Sequence, residues 1–327
     1  SNRPAPGDLL AGISVAMVLV PQSMAYAALA GLPPVHGLYA SVLPPVVAAL
    51  FASSPWLQTG PVAVTSVLTL GALSTLATPF GEQYVGYAAL LALVVGIVRV
   101  LLGLLRAGFM AYLMSDPVLR GFTAAAALLI IASQLPAALG VPAGGHGVIP
   151  DVIEALAHPA RWSAETALIS ALTLLVILGG RRLHALFPGV LVAVVGGIAW
   201  TRLTDYAGET IGALPGGLPH LSLGLPWQDL PMLIVPGIVI ALVGFAEPAA
   251  IARTMATQTR QRWSADRELI SQGAANIAAG LSGAFPVGGS FSRTTLNRNA
   301  GGQSRWSGAI TGLAVLAVLP FAGLLSP

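Results

Sequence analysis

Apolar residues fall along this chain in runs long enough to cross a bilayer, which takes about 20 residues per helical crossing. Eleven candidate spans result. The first covers roughly 8–30 with Pro21-Gln22 in its middle, the second about 37–53, the third Pro61 to about 77, and the fourth about 83–105. The fourth is the most uniformly apolar. Residues 107–115 read as a short interfacial helix, followed by span five from Asp116-Pro117 to about 138. A Gly/Pro/His loop at 140–160 leads to span six at about 163–179, and Arg181-Arg182 to span seven at about 186–203. After a second polar loop, 204–229, come span eight at about 230–254, span nine at about 268–284, a short span ten at 290–300 and span eleven at about 307–325.

Span ten breaks the pattern. Where more Leu and Val belong, the chain carries Gly288-Gly289-Ser290-Phe291-Ser292-Arg293-Thr294-Thr295-Leu296-Asn297, just after Pro286. It reads as a flexible turn feeding a short helix. A helix N-terminus with unpaired N–H groups favours an anion, and Arg293 adds a permanent positive charge. Thr59-Gly60-Pro61-Val62-Ala63 has the same character without the charge, since Pro suits the first helical turn and the amides that follow stay free. Each also fits a plain helix start, and Arg293 also fits an ordinary cytoplasmic arginine.

Composition agrees with the spans. Mean hydropathy is +0.82 and only 8 % of residues are charged, against about 25 % in a soluble domain. No cysteine is present, which excludes disulfides, thiolate metal sites and cysteine nucleophiles. All 15 basic residues are arginine. Arg3, Arg106, Arg181, Arg182, Arg253, Arg260, Arg262, Arg267, Arg298 and Arg305 fall in alternate loops or at their edges. Arg161 and Arg202 lie beside loops holding Asp151, Glu154, Asp205, Glu209 and Asp229. The positive-inside rule then places the N-terminus in the cytoplasm. The net charge of +3 reports loop topology, and nothing points to nucleic acid. Trp56, Trp200, Trp227 and Trp263 read as interface markers. The five histidines lack metal spacing, and there is no Ser-His-Asp arrangement, HExxH or phosphate loop. Nothing in the residues indicates an enzyme, a cofactor or a metal.

Glu247 is the one acidic residue well inside an apolar run. At membrane depth a carboxylate is expected to be protonated, paired or facing a cavity. It is placed either to exchange a proton or bind a cation, or to make a structural hydrogen bond or ion pair with Arg293. Gln22 carries an amide at mid-membrane with Tyr26 one turn on; it suits a substrate or the carbonyls freed by Pro21. The layout also hints at an inverted repeat. Pro21 interrupts span one and Gly60-Pro61 opens a short helix 39–40 residues later; Pro248 interrupts span eight and Gly288-Gly289 does the same 40–41 residues later. A complete second copy requires three more spans beyond Pro327.

The run Pro21-Gln22-Ser23-Met24-Ala25-Tyr26-Ala27, with Ala30-Gly31-Leu32-Pro33-Pro34 and Gly37-Leu38-Tyr39, resembles the signature of the sulfate permease (solute carrier 26) family. Gly60-Pro61-Val62-Ala63 and Gly289-Ser290-Phe291-Ser292-Arg293-Thr294 with Asn297 resemble its next two motifs, in order. Ser53-Ser54-Pro55 departs where many members carry a basic residue after the serine. The resemblance implies an all-α polytopic membrane protein with a seven-plus-seven inverted-repeat transporter fold, short half-helices at spans three and ten, and a homodimer. It divides the chain into a core domain at 1–106 (spans 1–4), a gate domain at 107–204 (spans 5–7), an extracellular loop at 205–229 and further core at 230–327, with the last gate spans and a cytosolic STAS domain absent. By the same resemblance Gln22, Tyr26, Val62, Ala63, Phe291, Ser292 and Arg293 line a substrate site, and Glu247 matches a cation-coupling position. The expected function is secondary transport of a small anion (dicarboxylate, sulfate or bicarbonate) with a proton, by alternating access across the inner (plasma) membrane. Sodium coupling, anion exchange and a passive anion channel are the alternatives.

Overall fold

A computed structural model of the chain describes residues 3–112, 116–142, 148–183, 187, 189–204, 206, 218–219 and 221–321. About half of the loop expected at 205–229 lies outside these residues, as do His146, His184 and His220. The described residues form helices α1 (Pro6–Leu29), α2 (Val35–Tyr39) and α3 (Leu43–Phe51), strand β1 (Gln58–Gly60), and helices α4 (Ala63–Leu73) and α5 (Glu82–Leu104). Helices α6 (Asp116–Ala138), α7 (Val148–Ala157), α8 (Ala164–Leu183) and α9 (Gly189–Leu203) follow. Helices α10 (Leu230–Thr259) and α11 (Ala265–Leu281), strand β2 (Gly288–Ser290), and helices α12 (Phe291–Asn299) and α13 (Trp306–Val318) end the series.

The chain divides into two compact units. Unit 1 comprises Ser1–Asp116 and Pro215–Ala322; unit 2 comprises Pro117–Leu214 and Gly323–Pro327. Within unit 2, α8 and α9 lie against each other. The start of α8 is tied back by Ser163 N–H donating to Leu139 C=O (2.9 Å) and Trp200 Nε1 donating to Glu165 (3.1 Å).

Unit 1 is built on close helix contact. The α5–α11 pair is its most extensive interface, and glycines seven residues apart on both helices permit it. A Cβ at Gly96 would stand 2.6 Å from Ile277 N, one at Gly273 would stand 2.7 Å from Val100 N, and one at Gly280 would stand 2.6 Å from Ala89 O. Small residues let helix backbones approach where lipid offers no hydrophobic drive between helices. The core of the unit lies between α5, α10 and α11, with Tyr84, Leu90, Leu91, Leu233, Ile240 and Phe285 buried. Outward, α1 shows Leu9, Leu10, Ile13 and Met17, and α5 shows Ile97, Leu101 and Leu104. These apolar stripes at helical spacing suit lipid contact. Among the described residues, three helical stretches, Pro6–Leu29, Glu82–Leu104 and Trp227–Thr259, are long and apolar enough to cross a membrane.

Several expectations need correction. Span two is two helices, α2 and α3, and the loop at 140–160 contains α7. Pro21 and Pro248 do not interrupt their helices: α1 and α10 run through them. Each proline only deletes one N–H, which frees a carbonyl one turn back. Trp56 is no interface marker; it is buried and donates Nε1 to Gly302 C=O at 2.9 Å. The 288–290 segment is no flexible turn but a buried strand. It pairs antiparallel with β1, placing Gln58 opposite Ser290, Thr59 opposite Gly289 and Gly60 opposite Gly288. The element order repeats in outline across the unit: a long proline-containing helix, then two shorter helices (α2, α3) in the first half and one (α11) in the second, then a strand, a short helix and a further helix.

Candidate functional site

The β1–β2 ribbon sits where α4 and α12 begin, so the two short helices start from one buried, hydrogen-bonded crossing. Such a short ribbon needs partners for every polar group, and neighbouring helices supply them. Thr294 Oγ1 accepts from Gln58 N (3.0 Å), Gln272 Nε2 donates to Thr59 Oγ1 (2.7 Å), and Gln58 Nε2 donates to Ser307 Oγ (3.2 Å). Asn276 brackets Val287, just before β2. Its Oδ1 accepts from Val287 N (2.9 Å) and its Nδ2 donates to Val287 O (3.0 Å). Gln272, Asn276, Thr294 and Ser307 are all fully buried.

Glycine is required here for approach. A Cβ at Gly289 would stand 2.8 Å from Leu57 Cδ1 and 3.1 Å from Pro248 Cβ, so α10 could not lie against β2. Gly60 has φ +155°, a value L side chains rarely adopt.

The amides opening the two helices differ in treatment. At α4 the N-cap residue is Val62, which has no side-chain cap, so the first-turn N–H groups lack a side-chain acceptor. At α12 the Ser290 hydroxyl caps Arg293 N (3.4 Å), and Ser290 Oγ lies 3.3 Å from Ser292 Oγ. Arg293 itself is buried, 1 % exposed. Its Nη2 donates to Pro61 C=O (2.8 Å) and its Nη1 to Gln22 Oε1 (3.5 Å). Its Nε has no protein partner. A buried guanidinium nitrogen left unpaired stands ready for an acceptor the protein does not supply.

Of the residues named from sequence, Gln22 and Arg293 are in direct contact, through a bond that joins α1 to α12. Tyr26 and Glu247 lie within electrostatic range of Arg293. Glu247 makes no contact ion pair with Arg293 among the described residues, though the two lie within electrostatic range of each other. Val62 is buried and Ala63 half-buried at the start of α4; Phe291 and Ser292 are exposed at the start of α12. The described residues contain no cluster able to hold a metal ion.

Three further buried charges were not singled out from sequence: Asp8, which accepts from Gln303 N (2.7 Å) and Ser304 N (2.9 Å), Glu268 and Arg99. Glu268 on α11 is fully buried, and its Oε2 accepts from Ser54 N (2.9 Å), Ser53 N (3.2 Å) and Trp263 Nε1 (3.2 Å). Arg99 on α5 is also fully buried. An arginine within the most apolar span was a legible signal, because an intramembrane charge is costly.

Comparison with known proteins now bears on this arrangement. The sequence model described as Sulfate permease family matches residues 6–326. The chain belongs to the sulfate permease family. A probable sulfate transporter of Mycobacterium tuberculosis is 38 % identical over 98 % of this chain and 58 % of the relative. Sulfate transporter 4.1, chloroplastic, of Arabidopsis thaliana is 35 % identical over 96 % of this chain and 47 % of its own length. Solute carrier family 26 member 6 of Homo sapiens is 33 % identical over 96 % and 45 %. The chain thus spans roughly half the length of these relatives. Among solved structures, the transmembrane domain of the cyanobacterium bicarbonate transporter BicA superposes with a TM-score of 0.88 at 25 % identity, covering 98 % of this chain and 83 % of that one. Murine Solute Carrier 26 family member A9 in the inward-facing state shares the fold, with a TM-score of 0.87 at 22 % identity over 98 % of this chain and 57 % of that one. The sulfate permease relatives are named as transporters, not enzymes, and the helical, multi-pass character of this chain agrees with that membership.

Proposed function

We propose that this chain supplies the anion-binding part of a secondary active transporter for a small anion such as sulfate, bicarbonate or a dicarboxylate, coupled to a proton. The observation that carries the reading is Arg293. It is buried where two short helices begin, with one guanidinium nitrogen unpaired and the α4 amides uncapped. Positive charge and free N–H groups converging in a water-poor place suit an anion and little else. The names of the mycobacterial, plant and cyanobacterial relatives support sulfate and bicarbonate as substrates.

In this reading Gln22, Tyr26, Val62, Ala63, Phe291, Ser292 and Arg293 receive the anion, and Glu247 carries the coupling proton. Unit 1 acts as the core domain and unit 2 as part of the gate, with alternating access across an inner (plasma) membrane and the N-terminus in the cytoplasm. The matching element order of the two halves of unit 1, joined by an antiparallel ribbon, supports the inverted repeat. The test is uptake of labelled sulfate and bicarbonate into proteoliposomes under an imposed pH gradient. We expect gradient-driven uptake by the wild type and its loss in Glu247→Gln, with residual exchange retained. Uptake by the variant that still follows the pH gradient sinks the proton assignment, and a sodium requirement in its place identifies the cation alternative.

A further inference from the structure

Glu268 carries its hydrogen bonds on one oxygen. Oε2 accepts from Ser54 N (2.9 Å), Ser53 N (3.2 Å) and Trp263 Nε1 (3.2 Å), while Oε1 is buried and has no protein partner. The two oxygens of an ionised carboxylate are equivalent acceptors, and leaving one buried without a donor is costly. A carboxylic acid divides the roles as they are divided here: its carbonyl oxygen accepts, and its hydroxyl needs an acceptor of its own.

That acceptor stands one turn on. Gln272 follows Glu268 by four residues on α11, so the two side chains are neighbours on one face of the helix. Both are 0 % exposed. Both reach the segment that leads from α3 into β1: Glu268 holds Ser53 and Ser54, and Gln272 Nε2 donates to Thr59 Oγ1 (2.7 Å). Gln272 Oε1 is also buried with no protein partner. One proton between them satisfies both orphaned acceptors.

No counter-ion touches Glu268. On its own helix Asp266 accepts from Gly108 N (2.7 Å), and Arg267, which acts on Glu268 at electrostatic range, donates Nε to Phe51 C=O (2.9 Å). Of the elements packed against α11, α3 has no titratable side chain and the turn at 107–112 has no acid, arginine or histidine. The C-terminal end of α5 lies at this level, Gly103 against Ile270. Arg99, a turn earlier, spends its fork on the carbonyls of Ala241, Ile240 and Val287. On α10 stand Glu247 and Arg253, neither of them bonded to Glu268.

We infer that Glu268 is a second proton-binding site: its Oε1 holds a proton shared with Gln272 Oε1, and the pair relays that proton's presence to the ribbon. Loss of the proton to water leaves a carboxylate oxygen facing the amide oxygen of Gln272. Turning the amide over relieves this, with Nε2 donating to Glu268 and Oε1 accepting from the Thr59 hydroxyl, which until then accepted. The two states differ by one proton and one amide rotation. Thr59 lies opposite Gly289 in the ribbon, two residues before Pro61, whose C=O holds Arg293 Nη2. The state of Glu268 is thereby felt where α4 begins.

The proton is read by infrared spectroscopy of the full chain in lipid, through the C=O stretch of protonated carboxyl groups and its shift in deuterium oxide. At neutral pH we expect a band in wild type and Glu247→Gln that is missing in Glu268→Gln. In Gln272→Leu it should be displaced, because the hydroxyl loses its acceptor. No such band in the difference between wild type and Glu268→Gln means an ionised Glu268 and overturns the proposal. So does failure of Glu268→Gln to fold, because glutamine imitates the protonated acid. An undisplaced band in Gln272→Leu overturns the relay; if that variant does not fold, transport decides. That second arm rests on the transporter reading above. Sulfate exchange in the Glu247→Gln background should fall as pH is raised equally on both sides, by up to about tenfold per pH unit for one proton. Adding Glu268→Gln should abolish the fall. Exchange indifferent to pH before that change, or still dependent on it afterwards, overturns the relay. A wild type that moves no sulfate refutes the transporter reading and leaves the infrared result standing.

Discussion

Replacing Asn276 by alanine tests the claim that α11 holds the ribbon in place. The side chain is fully buried and makes three hydrogen bonds: Oδ1 accepts from Val287 N (2.9 Å), and Nδ2 donates to Val287 C=O (3.0 Å) and Gln272 C=O (2.7 Å). Alanine leaves the three backbone groups unequal. Val287 C=O keeps Arg99 Nη1, and Gln272 C=O keeps its helical bond, so neither is orphaned. Val287 N–H loses its acceptor in a place water does not reach. An orphaned buried donor costs about 1–3 kcal/mol, and each lost bond whose acceptor stays satisfied costs about 0.5–1.5 kcal/mol. The sum is about 4 kcal/mol. At about 2–4 °C per kcal/mol for a domain of this size, the thermal midpoint should fall by about 8–16 °C. The assay is thermal unfolding of detergent-purified protein, with Ser271→Ala as the internal comparison. Ser271 is as buried as Asn276, but it only donates to Ala48 C=O (2.9 Å), which also accepts from Ala52 N. Its removal orphans nothing and should cost about 1 kcal/mol. Equal midpoints for the two variants would refute the reasoning, because they would show that bracketing Val287 contributes no more than one ordinary hydroxyl bond.

Other expectations follow from the same geometry. Gly273→Val drives side-chain atoms into Val100 N at a distance already 2.7 Å for a Cβ alone, so we expect no monodisperse protein on size-exclusion chromatography. Gly71→Ala, in α4 with nothing within 4 Å of its Cβ position, should instead raise the thermal midpoint by the equivalent of about 0.5–1 kcal/mol. Glu268→Ala deprives the Ser53 and Ser54 amides of their acceptor and should cost about 2–5 kcal/mol in thermal unfolding. Glu268→Gln, which keeps an acceptor oxygen, should stay within about 1 kcal/mol of wild type.

Much of this protein is legible without coordinates. Period and length of the apolar runs mark the helices, because a helix in lipid must satisfy its own backbone and present an apolar surface. Glu247 and Arg293 stand out for a related reason: a charge in an apolar run is costly enough to require a purpose. The glycines at 60, 288 and 289 were visible as anomalies, but their cause was misread. They look like flexibility in one dimension, whereas in three they permit two strands and α10 to lie within contact of one another. Strand pairing between residues 58–60 and 288–290 joins segments some 230 residues apart, and three-residue strands carry no alternation to read. The partners of the ribbon, Gln272 and Asn276, look like ordinary polar residues on α11 until Thr59 and Val287 are placed beside them. Arg99 shows the division most clearly. Sequence alone determined that a cation lies within the most apolar helix. Only the tertiary structure decided that its fork closes on carbonyls of α10 and the β2 entry, because local pattern records what a residue is and folding determines which distant groups it must satisfy.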